Sequence, residues 1–196
     1  VPELPEVETV RRGLEQVLPG RTARRLEVRG KRSVRRQSPE ELTARLVGRR
    51  FGRPGRHGKF LALPLDDGQA LVVHLRMSGQ LLHVTEPDRV PPRPHTHVIL
   101  GLDDDTELRF VDPRTFGEWF VTGDLGEDGN PSFFDDLGPD PLLDGLSPRL
   151  LQERFSNRHL AVKSALTDQR IVAGVGSIYA DEICHAARVR PDRRLD

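Results

Sequence analysis

Apolar residues in this chain change their spacing part-way along, and that change constrains the fold more than any other feature. From about residue 24 to residue 121 they come in short strand-like runs: 24–34, 51–63, 70–75, 80–84, 97–102, 107–111 and 118–121. Asp66-Asp67-Gly68 and Asp103-Asp104-Asp105 supply hairpin-type breaks between them. After Pro148 the spacing is helical, with segments at 150–155, 160–167 and 176–187 and a turn at 172–176. Two helices are also predicted among the early residues. One covers 6–18, where Val7, Val10, Leu14 and Val17 share a face and Pro19-Gly20 ends it; the other runs from Ser38 or Pro39 to Val47. Many strands at short intervals behind one leading helix predict a β-sandwich, and the whole is an α+β chain. Its expected organisation is a sandwich at 1–125, a Gly-, Pro- and Asp-rich linker at 126–148, and a helical domain at 149–196.

Composition narrows the function classes. No apolar run among the 196 residues approaches the roughly 18 needed to span a bilayer, and the start lacks a signal peptide's apolar stretch. A cytoplasmic monomer with no membrane partner is therefore expected. Cys184 is the only cysteine, which excludes an intramolecular disulfide and a cysteine-based zinc site within one chain. The net charge of zero hides segregation: residues 21–59 carry fourteen Lys/Arg against three Asp/Glu, and residues 103–144 carry two against thirteen. A basic block of this kind suits either a phosphate-facing cleft with an acidic back or a solvated charged surface.

The opening residues, Val1-Pro2-Glu3-Leu4-Pro5-Glu6-Val7-Glu8-Thr9, carry the sharpest chemical suggestion. With Val1 removed, Pro2 becomes a free secondary amine. An α-amino group has a reference pKa of roughly 7.7–8, so much of it is unprotonated near neutrality and able to attack a sugar aldehyde carbon. Glu3 beside it is suited to shuttle protons. On spacing alone the same string also reads as a leader into a helix, with Pro5 in the first turn and Glu6 and Glu8 favouring the N-terminal dipole.

Five segments in order weigh on that choice: the N-terminal string, His57-Gly58-Lys59-Phe60-Leu61, His74-Leu75-Arg76-Met77-Ser78-Gly79, Asp112-Pro113-Arg114-Thr115-Phe116-Gly117, and Asp168-Gln169-Arg170 through Gly174-Val175-Gly176-Ser177-Ile178-Tyr179-Ala180. Together they resemble the formamidopyrimidine-DNA glycosylases of the Fpg/Nei family over nearly the whole chain. The resemblance implies a base-excision repair enzyme on damaged double-stranded DNA, and it implies a helix–two-turn–helix (H2TH) domain at the C-terminal end. Removal of oxidised purines (8-oxoguanine and formamidopyrimidines) through a Pro2 Schiff base, then β-elimination, is the reaction it implies. Pro2, Glu3 and Lys59 would be catalytic, with Lys59 on the site phosphate; without the resemblance, Lys59 reads as the solvent end of a strand.

The resemblance also names a DNA-contacting set. Met77, Arg114 and Phe116 would fill the gap left by an extruded base, and His95, Arg158, Lys163, Gly176 and Ser177 would contact phosphates. Taken singly, Phe116 and the sole methionine, Met77, are compatible with core roles, and Gly174 and Gly176 with an ordinary turn. His95-Thr96-His97 has no partnering cysteine or carboxylate motif, so no metal is expected there. Two departures stand out. Ser177 replaces the family's asparagine, a shorter reach to phosphate. The chain also reaches Asp196 before the family's zinc finger, so the H2TH domain is expected to be incomplete and no cofactor is expected in this chain. The readings are thus a bifunctional glycosylase/AP lyase, nucleoid-associated in a bacterial cytoplasm, a non-catalytic damaged-DNA-binding remnant, or an interaction module that keeps the sandwich without DNA.

Overall fold

The computed structural model describes residues 1–195 and divides into two compact units, Val1–Arg56 with Phe60–Ser132, and His57–Lys59 with Phe133–Asp196. In the first unit, helix α1 (Leu4–Val17) begins two residues earlier than its apolar spacing predicts. The reason is a capping box: the Glu3 carboxylate accepts from the Glu6 amide, and the Glu6 carboxylate accepts from the Glu3 amide at 2.9 Å. Helix α2 (Pro39–Leu46) starts the same way, on Ser38 and Glu41.

Eight strands follow: β1 (Ala23–Val28), β2 (Gly55–His57), β3 (Phe60–Pro64), β4 (Ala70–His74), β5 (Gln80–Val84), β6 (Thr96–Leu102), β7 (Glu107–Val111) and β8 (Glu118–Thr122). They form two four-stranded sheets, ordered β1-β6-β7-β5 and β2-β3-β4-β8. The run predicted at 51–63 is broken, because Gly58 takes φ +56° in a tight turn and splits it into β2 and β3. Alternate residues of the sheets meet in one core: Leu61, Leu63, Leu71, Val73, Trp119 and Val121 from one, Val98, Leu100, Leu108 and Phe110 from the other. The rings of Phe110 and Trp119 lie 5.9 Å apart within it, and Val7, Leu14 and Leu18 seal α1 to the same core.

The second unit contains α3 (Pro148–Phe155), α4 (Val162–Thr167) and α5 (Ser177–Ala187). Its small core comprises Ala165, Leu166, Ile171, Val172, Val175, Ala180 and Cys184. The stretch read as a linker has structure of its own: a 3-10 helix at Ser132–Asp136 buries Phe134, and Asp140 is fully buried. No helix among the described residues is long and apolar enough to cross a membrane.

Candidate nucleic-acid interface

Six of the eleven expected site residues lie in the first unit. Pro2 is half-buried and Glu3 is 1% exposed at the start of α1, where the capping box fixes the Glu3 carboxylate. Further along the helix, Glu8 is engaged by three guanidinium groups. It binds Arg11 (3.0 Å), Arg12 (2.9 Å) and the fully buried Arg56 side chain (3.0 Å). Burial would push the Glu8 carboxyl up, but the hydrogen bonds from Arg11, Arg56 and Arg12 outweigh it and hold the pKa at about 2. Arg11 also donates to the Pro54 carbonyl at 3.3 Å, so α1 is fastened to the segment that leads into β2.

Met77, His95, Arg114 and Phe116 are brought together by hydrogen bonds among three loops. Asp112, fully buried, accepts from the Ser78 hydroxyl (2.5 Å) and from the Gly117 amide (2.7 Å). Ser78 Oγ in turn accepts from the Arg114 amide at 3.2 Å, and the Asp112 amide donates to the His95 carbonyl at 3.0 Å. His97 Nε2 donates to the Asp112 carbonyl at 2.8 Å. On this frame Met77 and Phe116 are exposed, at 39% and 49%, and the Arg114 guanidinium lies 5.3 Å from the Phe116 ring centre. Arg76, His95 and Thr115 take positive φ (53°, 64° and 58°), a conformation that costs non-glycine residues free energy and clusters at functional loops. Neither Met77 nor Phe116 is therefore a core residue.

The other five residues lie in the second unit. Lys59 occupies the β2–β3 turn rather than a strand end. The turn is pinned from its own unit: the Gly58 amide donates to Asp140 Oδ2 at 2.8 Å, and His57 Nε2 donates to the Gly138 carbonyl at 2.9 Å. An open groove is lined by Lys59, Lys163, Ser164, Thr167, Gly176 and Ser177. Lys163 is paired with Asp181 at 2.8 Å, and Gly176 and Ser177 begin α5. The preceding turn is stapled by Gln169, whose amide group donates to the Thr167 and Val175 carbonyls (3.0 and 2.8 Å) and accepts from the Gly174 amide (2.9 Å). Gly174 needs its freedom there, at φ +94°. Arg158 stands near Asp168, whose carboxyl is held below its ordinary range chiefly by Arg170 and to a lesser degree by Arg158.

The basic block is partly neutralised by the acidic one. Arg21 meets Asp104 (3.1 Å), Arg24 meets Asp105 (3.6 Å), and Arg25 pairs with Glu107. Three of the fourteen basic residues of that block are thus paired with acidic residues near β1, β6 and β7. Among the described residues no group of three or more His, Cys, Asp or Glu could hold a metal ion, and Cys184 is buried. Sequence reasoning quoted Ser78, Asp112 and Gln169 within motifs but gave them no role, and it passed over Asp140. Asp-Pro and Gly-Pro-Asp steps were the available signals, since aspartate at a turn commonly accepts nearby amides.

This arrangement has known counterparts. Residues 1–119 match the model of the formamidopyrimidine-DNA glycosylase N-terminal domain, and residues 137–195 match that of the formamidopyrimidine-DNA glycosylase H2TH domain. The chain belongs to the formamidopyrimidine-DNA glycosylase family. It is 45% identical to the formamidopyrimidine-DNA glycosylase of Symbiobacterium thermophilum over 98% of its length, and 42% identical to that of Herpetosiphon aurantiacus over 98%. It spans 62% of the first relative and 69% of the second. Among solved structures it resembles the Lactococcus lactis Fpg bound to abasic-site DNA, with a TM-score of 0.87 and 32% identity over 98% of this chain and 69% of that one. A complex of wild-type Lactococcus lactis Fpg with DNA containing N7-benzyl-Fapy-dG gives 0.88 and 33%, over 99% and 70%. In family terms, the helical second unit is the H2TH domain, and the first carries the glycosylase N-terminal domain.

Proposed function

We propose that this chain, with its glycosylase N-terminal and H2TH domains, acts as a bacterial DNA glycosylase/AP lyase that removes oxidised purines from duplex DNA. The observation that carries the reading is the exposed trio on the Asp112 frame. Two apolar side chains, Met77 and Phe116, stand in solvent beside a guanidinium on loops held by buried hydrogen bonds. Extruding a base leaves a gap in the stack; an apolar wedge fills it, and the planar fork of Arg114 matches the edge of the orphaned partner base.

The chemistry follows from the N-terminus. Cleavage of the Val1–Pro2 bond frees the Pro2 nitrogen. Its lone pair attacks C1′, the bond from C1′ to the base breaks, and the base departs with a proton. Ring opening gives an iminium whose positive charge acidifies the C2′ proton; loss of that proton expels the 3′ phosphate by β-elimination. Glu3, held by the capping box and nearly buried, is placed to take and return protons. Lys59, Gly176 and Ser177 line the groove that suits phosphate: a point charge and a helix N-terminus. His95, Arg158 and Lys163 are further phosphate contacts in this reading, the last by exchanging Asp181 for the backbone. The partner is damaged double-stranded DNA, and no step requires a cofactor.

Borohydride trapping on a duplex containing 8-oxoguanine, with intact mass read on the same protein, tests this reading. A covalent adduct on Pro2, absent in Pro2→Gly, supports it. Glu3→Gln is expected to lose turnover and keep binding. Full activity in either variant, or no adduct from protein with a free Pro2, overturns it; the second result favours the binding remnant.

A further inference from the structure

We propose that Asp112 and Ser78 form a latch that makes the wedge and its two companion probes a single body, so that Ser78 is a positioning residue for opening the base stack. This rests on the reading of Met77, Arg114 and Phe116 as DNA probes. Two loops carry those residues, and they are separated by 34 positions at the Ser78–Asp112 bond. One hydroxyl joins them in both directions: Ser78 Oγ donates to Asp112 Oδ1 at 2.5 Å and accepts from the Arg114 amide at 3.2 Å. The second carboxylate oxygen holds the far end of the probe loop through the Gly117 amide at 2.7 Å.

An independent feature joins the same two loops. A Cβ on Gly79 would lie 2.9 Å from the Phe110 ring and 2.5 Å from the Leu75 carbonyl oxygen. One on Gly117 would lie 2.3 Å from the same ring. Both loops therefore close onto one buried aromatic floor, at 0% exposure, and only glycine permits it. Met77 precedes Ser78 directly, and Arg114 and Phe116 lie inside the span that Asp112 and Gly117 close. Inserting a wedge between stacked bases works against their stacking. A wedge on a loose loop would yield under that load; one latched to a buried carboxylate transmits it to the core.

The latch should matter where a stack must be opened and be idle where none exists. With the full chain, we expect Ser78→Ala to lower kcat/KM for lesion excision from duplex about tenfold or more. Strand incision at an abasic site in single-stranded DNA should stay within twofold. Ser78→Thr, which keeps the hydroxyl, should recover most of the duplex activity. Met77→Ala should cost much less in the Ser78→Ala background than alone, because residues acting as one unit are not additive. Equal loss on both substrates, unchanged duplex excision, or additive costs would overturn the latch. A wild-type protein inactive on both substrates would instead overturn the proposed function, and the latch with it.

Discussion

Asp112 and Asp140 are both fully buried and both hold a loop of the candidate site, yet they do so with different partners. Asp140 accepts from three main-chain amides: Gly58 at 2.8 Å, Leu142 at 2.9 Å and Leu143 at 3.1 Å. Asp112 accepts from one amide and one side-chain hydroxyl, that of Ser78. Backbone donors are present whatever the sequence at those positions, so these three bonds are removed by changing Asp140 itself. The anchor under the probes can be loosened at either end. A buried carboxylate is tolerated because its acceptors are satisfied, and the cost of breaking the arrangement scales with the donors left orphaned.

The difference can be broken most forcefully at Asp140. Asp140→Ala strips the acceptor from three amides, each orphan costing about 1–3 kcal/mol, so a loss of about 3 kcal/mol or more is expected in denaturant unfolding. A loss below about 1 kcal/mol would show that water replaces the carboxylate and that the two anchors do not differ. Glu8 sharpens the contrast, since this carboxylate is held by guanidinium groups instead. Its folded pKa, about 2, lies below the ordinary 4.5. Its stabilising contribution is therefore complete above about pH 4.5 and is lost as pH falls towards 2, amounting to a few kcal/mol at about 1.4 kcal/mol per unit. Glu8→Gln should flatten stability measured across that interval; an unchanged pH profile would place the dependence elsewhere.

A smaller effect is expected at Gly58. Alanine there meets both a positive φ of 56° and a Cβ contact at 3.1 Å with Ala173, whereas Gly20 has φ +80° and open space. Gly20→Ala should cost about 1 kcal/mol, the backbone penalty alone, and Gly58→Ala measurably more. Equal melting temperatures would mean that the turn under Lys59 is not held tightly. Ser78→Ala should cost about 1–3 kcal/mol, because one oxygen of the buried Asp112 carboxylate loses its donor, and keep the fold by circular dichroism. Unfolding of that variant would make Ser78 a structural residue.

Much of this was legible locally. Apolar spacing located α1, α2 and the three later helices within a few residues, and the turn signals separated most strands. Elements whose limits moved did so for side-chain reasons: the Glu3–Glu6 box extends α1, and Gly58 divides one predicted strand into two. The stretch at 126–148 has a linker's composition, but Phe134 and Asp140 are buried, which composition does not reveal. At the candidate site, the solvent-facing residues and their holders Ser78 and Asp112 share the same motifs, but the bonds between the holders are not displayed there. Asp112 reaches Ser78 across 34 positions, and Arg56 reaches Glu8 across 48. Such pairings exist only after the sheets have formed, so no window of sequence displays them.

Gly79 and Gly117 both lean on the Phe110 ring while Trp119 lies against it in the core. On the proposed reading, a residue that never meets solvent thereby supports the two loops that carry the wedge. If that reading holds, repacking this interior for hardiness would also shift the surface that meets the DNA.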